Sequence, residues 1–422
     1  DNFRRNLESG IKRFASGFTK TVAMVTPLPD PMAGQFGQST ASFSQVEGFL
    51  GAALNVQQED LTDGSVSGAA DLLLLLAPDR LDEKSLFAVD QFLMQGGTVV
   101  IASSPYTANY TGRGLSVQPH DSGLAEWLSH HGLGIGEQLV MDPQNGSFPL
   151  PVTRDVGGFQ LQELRMLDYP YFIDVRADGM NEDSPIVADL PQVTMAWASP
   201  ITVDTEKQGE RRVTPLLNSS SGSWLSTDTN VLPRFDGNGI TAFRPEGETG
   251  SHLLGVVSAG AFDSWFAGKP SPLLAGESEA VETDGEDDAR EGGAGDSAAT
   301  TVSGVIERAP ESARIVLFSS NDFLQDQVFN LASAAAGGEY LNNMQLLANT
   351  LDWALQDEGL LGIRGRGHFN RTLPPLDQGE QAFWEYLNYA LVALALGLVA
   401  LIQRRRQTRR QRDLVALVLE EA

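Results

Sequence analysis

Two kinds of stretch alternate along this chain. Short unbroken apolar runs, such as LLLLL at 72–76 and TVVIA at 98–102, are separated by segments whose apolar residues recur every three or four positions. Unbroken runs bounded by turn residues read as strands buried on both faces, and the longer spacing reads as amphipathic helix. Residues 71–106 show the unit best. DLLLLLAP is far shorter than the roughly 20 apolar residues a spanning helix needs. LDEKSLFAVDQFLMQGG follows, with acids in its first turn, a stripe of Leu86, Val89, Phe92 and Leu93, and a stop at Gly96-Gly97. TVVIASSPY then returns to strand. Strand, helix and strand with short connections predict a parallel sheet covered on both faces.

The same logic divides the whole chain. Residues 1–18 predict an amphipathic lead-in helix with Phe3, Leu7, Ile11, Phe14 and Phe18 on one side. Residues 19–150 predict the first part of the α/β domain: a strand in KTVAMVTPLP, a helix over 42–54, a strand in NVQQEDL, and a helix stopped by Gly132 before a strand ending at Asp142. Residues 151–276 carry short β runs, prolines and polar turns and predict a β-rich insertion. Residues 277–302 are acidic and rich in Gly, Ala and Ser, a composition that cannot bury enough surface to offset ordering, so a disordered linker is expected. The α/β pattern resumes over 303–370, with a strand in ARIVLFSSNDF and a helix in NNMQLLANTLDWAL.

The far end has a different character. Residues 371–382 read as a juxtamembrane linker, 383–403 as one transmembrane helix and 404–422 as a basic tail. Tyr389–Ile402 carries no charge, and a helix extended back to Phe383 is about 30 Å long, the thickness of the hydrocarbon core. Trp384, Tyr386 and Tyr389 would lie at the headgroup level, and Arg404, Arg405 and Arg406 begin a cluster continued by Arg409, Arg410 and Arg412. The positive-inside rule places that cluster in the cytoplasm. The expected location is the cytoplasmic (inner) membrane, with most of the chain extracytoplasmic or periplasmic. A C-terminal anchor alone would not export so large a domain, so an upstream export or spanning segment is expected in the natural gene product.

Charge and composition narrow the function classes. Acidic residues outnumber basic ones 55 to 29, giving a formal charge of −26 that disfavours nucleic-acid partners. There is no cysteine, which removes disulfides, thiolate metal sites and a cysteine nucleophile together. His130 and His131 are adjacent rather than four apart, so no helical metal pair is expected, and neither a G-x-S-x-G elbow nor a P-loop occurs. No metal or cofactor is expected.

In open α/β sheets ligands bind beyond the carboxyl ends of the strands. Here those ends carry Thr26, Asp79, Ser103, Ser104, Tyr106, Ser320, Asn321 and Asp322, which form the candidate ligand or partner rim. The competing explanation is turn and capping chemistry, which favours the same residue types. A hydrolytic role would require a base within hydrogen-bond reach of Ser103, Ser104 or Ser320.

Five phrases in order carry a resemblance: DLLLLLAPDRLDEKSLFAVDQFLMQGGTVVIASSPY, LAEWLSHHGLGIGEQLVMD, YPYFIDV followed by SPI, LLGVVSAGAFDSWF, and RIVLFSSNDFLQD followed by NNMQLLANTLDWAL. With a C-terminal anchor and basic tail, the chain resembles the GldG-like family from about Lys20 to the tail. These are membrane-anchored auxiliary components of ABC transport systems named for gliding motility. The resemblance implies a flavodoxin-like sheet of the class I glutamine amidotransferase type, and partnership with an ABC permease and a separate ATPase. Amidotransferase chemistry does not carry over, because its nucleophile is a cysteine and the equivalent elbow falls near Ser103-Ser104. Two functions are therefore set against each other. One is a non-catalytic accessory subunit with an extracytoplasmic docking module. The other is a surface hydrolase or glycan-processing enzyme that uses the rim.

Overall fold

The computed structural model describes residues 20–27, 41–111, 114–156, 159–233, 243–274, 304–336 and 340–355, and scattered helical positions between 383 and 404. The predicted lead-in helix 1–18, the linker 277–302, Trp384, Arg405 and Arg406 lie outside the described residues. The chain divides into two units, Asp1–Gly367 and His368–Ala422.

In chain order the first unit contains β1 (Thr21–Val25), α1 (Ser44–Gly51), β2 (Asn55–Gln58), β3 (Leu72–Leu76), α2 (Glu83–Met94), β4 (Thr98–Ala102), β5 (Tyr106–Thr111), β6 (Gly114–Pro119), α3 (Ala125–His130), β7 (Leu133–Ile135) and β8 (Leu139–Met141). There follow β9 (Asn145–Val156), β10 (Phe159–Arg176), β11 (Gln192–Ala196), β12 (Ile201–Val203), α4 (Thr205–Gln208), β13 (Arg212–Asn218), β14 (Trp224–Ser226), β15 (Leu253–Ala259), β16 (Arg314–Phe318), α5 (Asp326–Ala336) and α6 (Asn342–Ala354).

The main sheet runs β2-β1-β3-β4-β16-β15-β12-β7, with β13 also on β15. The first five strands are parallel, and from β15 onward the pairing turns antiparallel. The sheet is thus mixed rather than purely parallel. Three strands of the 151–276 segment, β12, β13 and β15, join it. The rest of that segment builds the three-stranded sheet β11-β10-β9, and its β14 pairs with β8.

The leucine run is explained by the two faces of the sheet. Side chains alternate along a strand. Leu72, Leu74 and Leu76 enter one core with Val22, Met24, Val100, Val316 and residues of α1 and α6. Leu73 and Leu75 enter the other with Ala23, Val25, Ile101, Ile315 and residues of α2 and α3. Each buried leucine contributes about 2 kcal/mol of transfer free energy. A strand with both faces covered cannot alternate apolar and polar residues, and this one does not.

Helix α2 begins as its sequence predicts. The Asp82 side chain accepts a 2.8 Å hydrogen bond from the Ser85 amide, and that bond holds its carboxyl below the ordinary aspartate range. The helix is followed by Gly96 at φ +91°, where a Cβ would lie 2.7 Å from Pro310 and 2.8 Å from Ser312. Only glycine fits that turn.

Helix α1 is capped from outside. Its flanking residue Phe43 offers no side-chain cap; Asp326, at the start of α5, accepts instead from the Ser42 and Ser44 hydroxyls and from the Ser44 and Gln45 amides at 2.6–3.0 Å. Burial works to raise the Asp326 carboxyl, but these four donors outweigh it and hold it below the ordinary value. Asp326→Ala should cost about 1–2 kcal/mol, a typical cap loss. With a depressed folded pKa, this contribution is present above the free-aspartate value and fades as pH falls through the folded one. Equilibrium denaturation at pH 7 and pH 3 checks it: the difference between parent and variant should shrink at the lower pH.

In the second unit the described positions 383, 386–391, 393–394, 396–397 and 404 are helical, and Phe383, Tyr386, Tyr389, Leu391, Leu394 and Leu396 are exposed. Among the described residues no helix is long and apolar enough to cross a membrane.

Candidate functional site

The polar residues that end β4 and β16 meet beneath a hairpin. Ser103, Ser104, Ser320, Asn321 and Asp322 are all buried. The Asn321 side chain accepts from the Ser104 amide at 3.1 Å and donates to the Ser104 and Tyr106 carbonyls at 2.8 and 2.7 Å. The Ser320 hydroxyl donates to the Ala196 carbonyl at 2.6 Å and accepts from the amides of Asp322 and Phe323. The Ser104 hydroxyl lies 3.1 Å from that of Ser199. Asp322 accepts from the Thr107 hydroxyl, the Ala108 amide and the Gln325 side chain at 3.2, 3.1 and 2.6 Å. Burial pushes Asp322 up to about 8, against the Ala108 amide and Thr107 hydroxyl that pull it down.

This network fastens the β5–β6 hairpin to the end of β16. Four of the eight rim residues, Ser104, Ser320, Asn321 and Asp322, take part through their side chains, and Tyr106 joins through its backbone; Ser103 is buried but makes none of these bonds. Thr26 and Asp79 make none of these bonds. Thr26 lines a cleft of about 640 Å³ at the ends of β1 and β2 with Gln58, Glu59 and Asp60. Asp79 is exposed on the turn after β3, 3.9 Å from Arg80. That turn is bent by left-handed backbone at Ala77 and Arg80, and the His120 ring meets the Pro78 carbonyl at 2.7 Å. The hydroxyls of Ser104 and Ser320 have no histidine or carboxylate within hydrogen-bond reach among the described residues.

His131 is buried against Trp127, His130 and Phe262, and neither ring nitrogen has a hydrogen-bond partner. Burial, followed by the charges of His130 and Arg211, holds its pKa well below the ordinary histidine value, so the ring stays neutral. His131→Phe should raise stability by about 1–2 kcal/mol by removing two unsatisfied polar atoms. Unfolded histidine protonates below about pH 6.5 while the native ring does not, so stability is lost as pH falls through that value and the gain of the variant widens there. Thermal melts at pH 7.5 and 5.5 test both points. Among the described residues no group of three His, Cys, Asp or Glu is placed to hold a metal ion.

The larger opening lies at the other end of the sheet, where β15 finishes and β16 begins. This cleft of about 880 Å³ is lined by Asn181 and Ser184, by Arg212 and Thr214 of β13, by Val257 and Ala259 of β15, by Arg314 of β16 and by Trp353 of α6. Its lining holds five cationic side chains against four acidic ones, in a chain where acids outnumber bases nearly two to one. The Arg211 guanidinium sits 4.7 Å over Phe262 and donates to the carbonyls of His131 and Lys207 at 3.0 and 2.7 Å. Arg314 lies 4.6 Å over Trp353 and donates to its carbonyl at 3.3 Å. None of the eight rim residues lines this cleft. The available signal was an arginine pair at 211–212 and an arginine opening the apolar run at 314, both out of keeping with an acidic chain.

The model of a family described as ABC-type uncharacterized transport system matches residues 19–356. No curated protein matches the chain. Among solved structures, the mmIFT52 N-terminal domain superposes with a TM-score of 0.39 at 9% identity, covering 80% of this chain and 97% of that one. A ThuA-like protein from Bacteroides uniformis does so with a TM-score of 0.36 at 11% identity, covering 80% and 91%.

Proposed function

The chain belongs to the ABC-type uncharacterized transport system family, and from that premise we propose that it is a non-catalytic, membrane-anchored accessory subunit of an ABC-type transport complex. Its α/β unit serves as an extracytoplasmic binding and docking module, and residues 383–403 anchor it, with the basic tail 404–422 in the cytoplasm. Its partners are an ABC permease, a separate ATPase and the lipid bilayer. A GldG-like identity is the finer form of this reading. The order β2-β1-β3-β4-β16 supports a flavodoxin-like, amidotransferase-like origin for the sheet, since doubly wound folds of that kind use the order 2-1-3-4-5. The name of that family carries no statement about gliding in the source organism.

The observation that carries the non-catalytic part is the sealing of the rim residues at the ends of β4 and β16. The hydroxyls of Ser104 and Ser320 are spent on Ser199 and on the Ala196 carbonyl, where a hydrolase would need a base. A docking role is supported by the β9–β10 ribbon. Its pairing continues from Ser147–Asp168 to Val156–Phe159, and Leu164, Arg165 and Met166 are exposed along it. Affinity purification of the full-length protein from its native membrane should recover a permease and an ATPase in stoichiometric amounts. Recovery of the protein without either would overturn the reading.

A further inference from the structure

The floor of the 880 Å³ cleft is three strands in register. Arg212 on β13 stands opposite Ala259 on β15, and Ala259 stands opposite Arg314 on β16. Residues directly opposite across antiparallel strands share a face, so the two arginines rise on the same side with a methyl group between them. Two strand steps of about 4.8 Å put their Cα atoms roughly 10 Å apart. The alternate row, Val213–Ser258–Ile315, faces the other core, to which Ile315 belongs. Thr214 and Val257 form the next row on the cleft side.

Neither arginine has a carboxylate within 4.0 Å among the described residues; the cleft's own ion pair is Arg308 with Asp263, at 3.9 Å. Arg212 is exposed. Arg314 is half-buried, and burial alone lowers its guanidinium from the ordinary arginine value, with no acid to offset it. Its stack on Trp353 and its single bond to the Trp353 carbonyl fix the plane of the guanidinium and leave other N–H groups unspent. A pre-oriented, partly desolvated guanidinium loses little entropy on binding and suits bidentate capture of an oxyanion.

We propose that this cleft is a binding site for a ligand bearing two oxyanion groups, carboxylate or phosphate, bridged between Arg212 and Arg314 across Ala259. The acids that also line the cleft, Asp183, Glu210, Asp263 and Glu311, confine the negative groups to that row and disfavour a ligand charged along its whole length. Ala259 gates the floor, because any longer side chain there would stand between the two guanidinium groups. This assignment is independent of the transport reading.

The test is calorimetric titration of the full chain with citrate and, separately, with tripolyphosphate, at about 50 mM and 500 mM NaCl. At least one probe should bind in low salt and weaken in high salt, as screened charge pairs do, and the tighter one identifies the source of the oxyanion. Arg314→Gln and Arg212→Gln should each weaken that probe at least about tenfold. Ala259→Leu should do the same with every charge retained. Arg80→Gln, at the opposite end of the sheet, should leave binding unchanged. The proposal is overturned if neither probe binds below about 1 mM, if the Ala259 and arginine variants bind like the parent, or if Arg80→Gln weakens binding as much as they do. Arg212 is exposed, so its variant remains informative even if Arg314→Gln fails to fold.

Discussion

Replacing Asp90 with alanine is expected to remove about 3–5 kcal/mol of stability, the range for stripping a buried acid from its donors. Asp90 lies on α2 with no exposed surface. Its carboxyl group accepts from the Trp127 indole at 3.0 Å, the Trp265 amide at 3.0 Å, the Ser264 hydroxyl at 2.5 Å and the Gln91 side chain at 3.1 Å. Alanine would leave these donors buried without an acceptor, and each such orphan is costly. The position also joins distant chain. Its neighbour Gln91 exchanges bonds with the backbone of Ile306, so one helical turn holds residues 264–265 and 306 together from either side of the acidic segment. Urea denaturation followed by tryptophan fluorescence should show a lower midpoint with an unchanged slope, the mark of lost stability without a changed unfolded state. Asp90→Asn, which keeps two polar positions, should fall between. A loss below about 1 kcal/mol in the alanine variant would mean that the surroundings rearrange to supply water or another acceptor.

The half of the fold governed by local pattern was legible in the sequence. Leu72–Leu76 had to be a strand because nothing else covers five consecutive leucines, and α2 announced itself through Asp82 and Gly96-Gly97. The mixed edge was not legible. Arg212–Asn218 and Leu253–Ala259 pair although they are distant in sequence, with β14 between them, and strand periodicity does not say which neighbour a strand will choose. The candidate rim shows the same limit. Ser104, Ser320, Asn321 and Asp322 lie beyond strand ends, where both ligands and turns draw polar residues. What decides between the two is the β5–β6 hairpin. Its Leu115 and Val117 alternate with polar residues as strand, yet nothing in that alternation reveals that the hairpin lies over the rim. The cationic cleft was hidden for the opposite reason: its arginines are separated by about a hundred residues, and only the register of β13, β15 and β16 aligns them.

Raising pH from about 4 to about 8 is expected to weaken the fold through Asp322, and Asp322→Asn to abolish that component. In the folded chain this carboxyl keeps its proton up to about pH 8, whereas a free aspartate releases it near 3.9. Across that window the native state binds more proton than the unfolded state, so its stability falls as pH rises; the contribution is fully present below about 4 and fully lost above about 8. The expected loss is on the order of a few kcal/mol. The asparagine variant carries a constant offset, because its amide cannot accept from Thr107, Ala108 and Gln325 as the carboxyl does, but that offset does not titrate. His131 contributes a slope of the opposite sign below about pH 6.5 in parent and variant alike. The informative quantity is therefore the difference between parent and variant, measured by denaturation at several values from pH 4 to 9. The advantage of the parent should shrink steadily over this range. A difference that stays flat would show that the three donors keep Asp322 ionised throughout. In that case the latch between the hairpin and β16 would be a permanent buried charge rather than one that loosens toward alkaline pH.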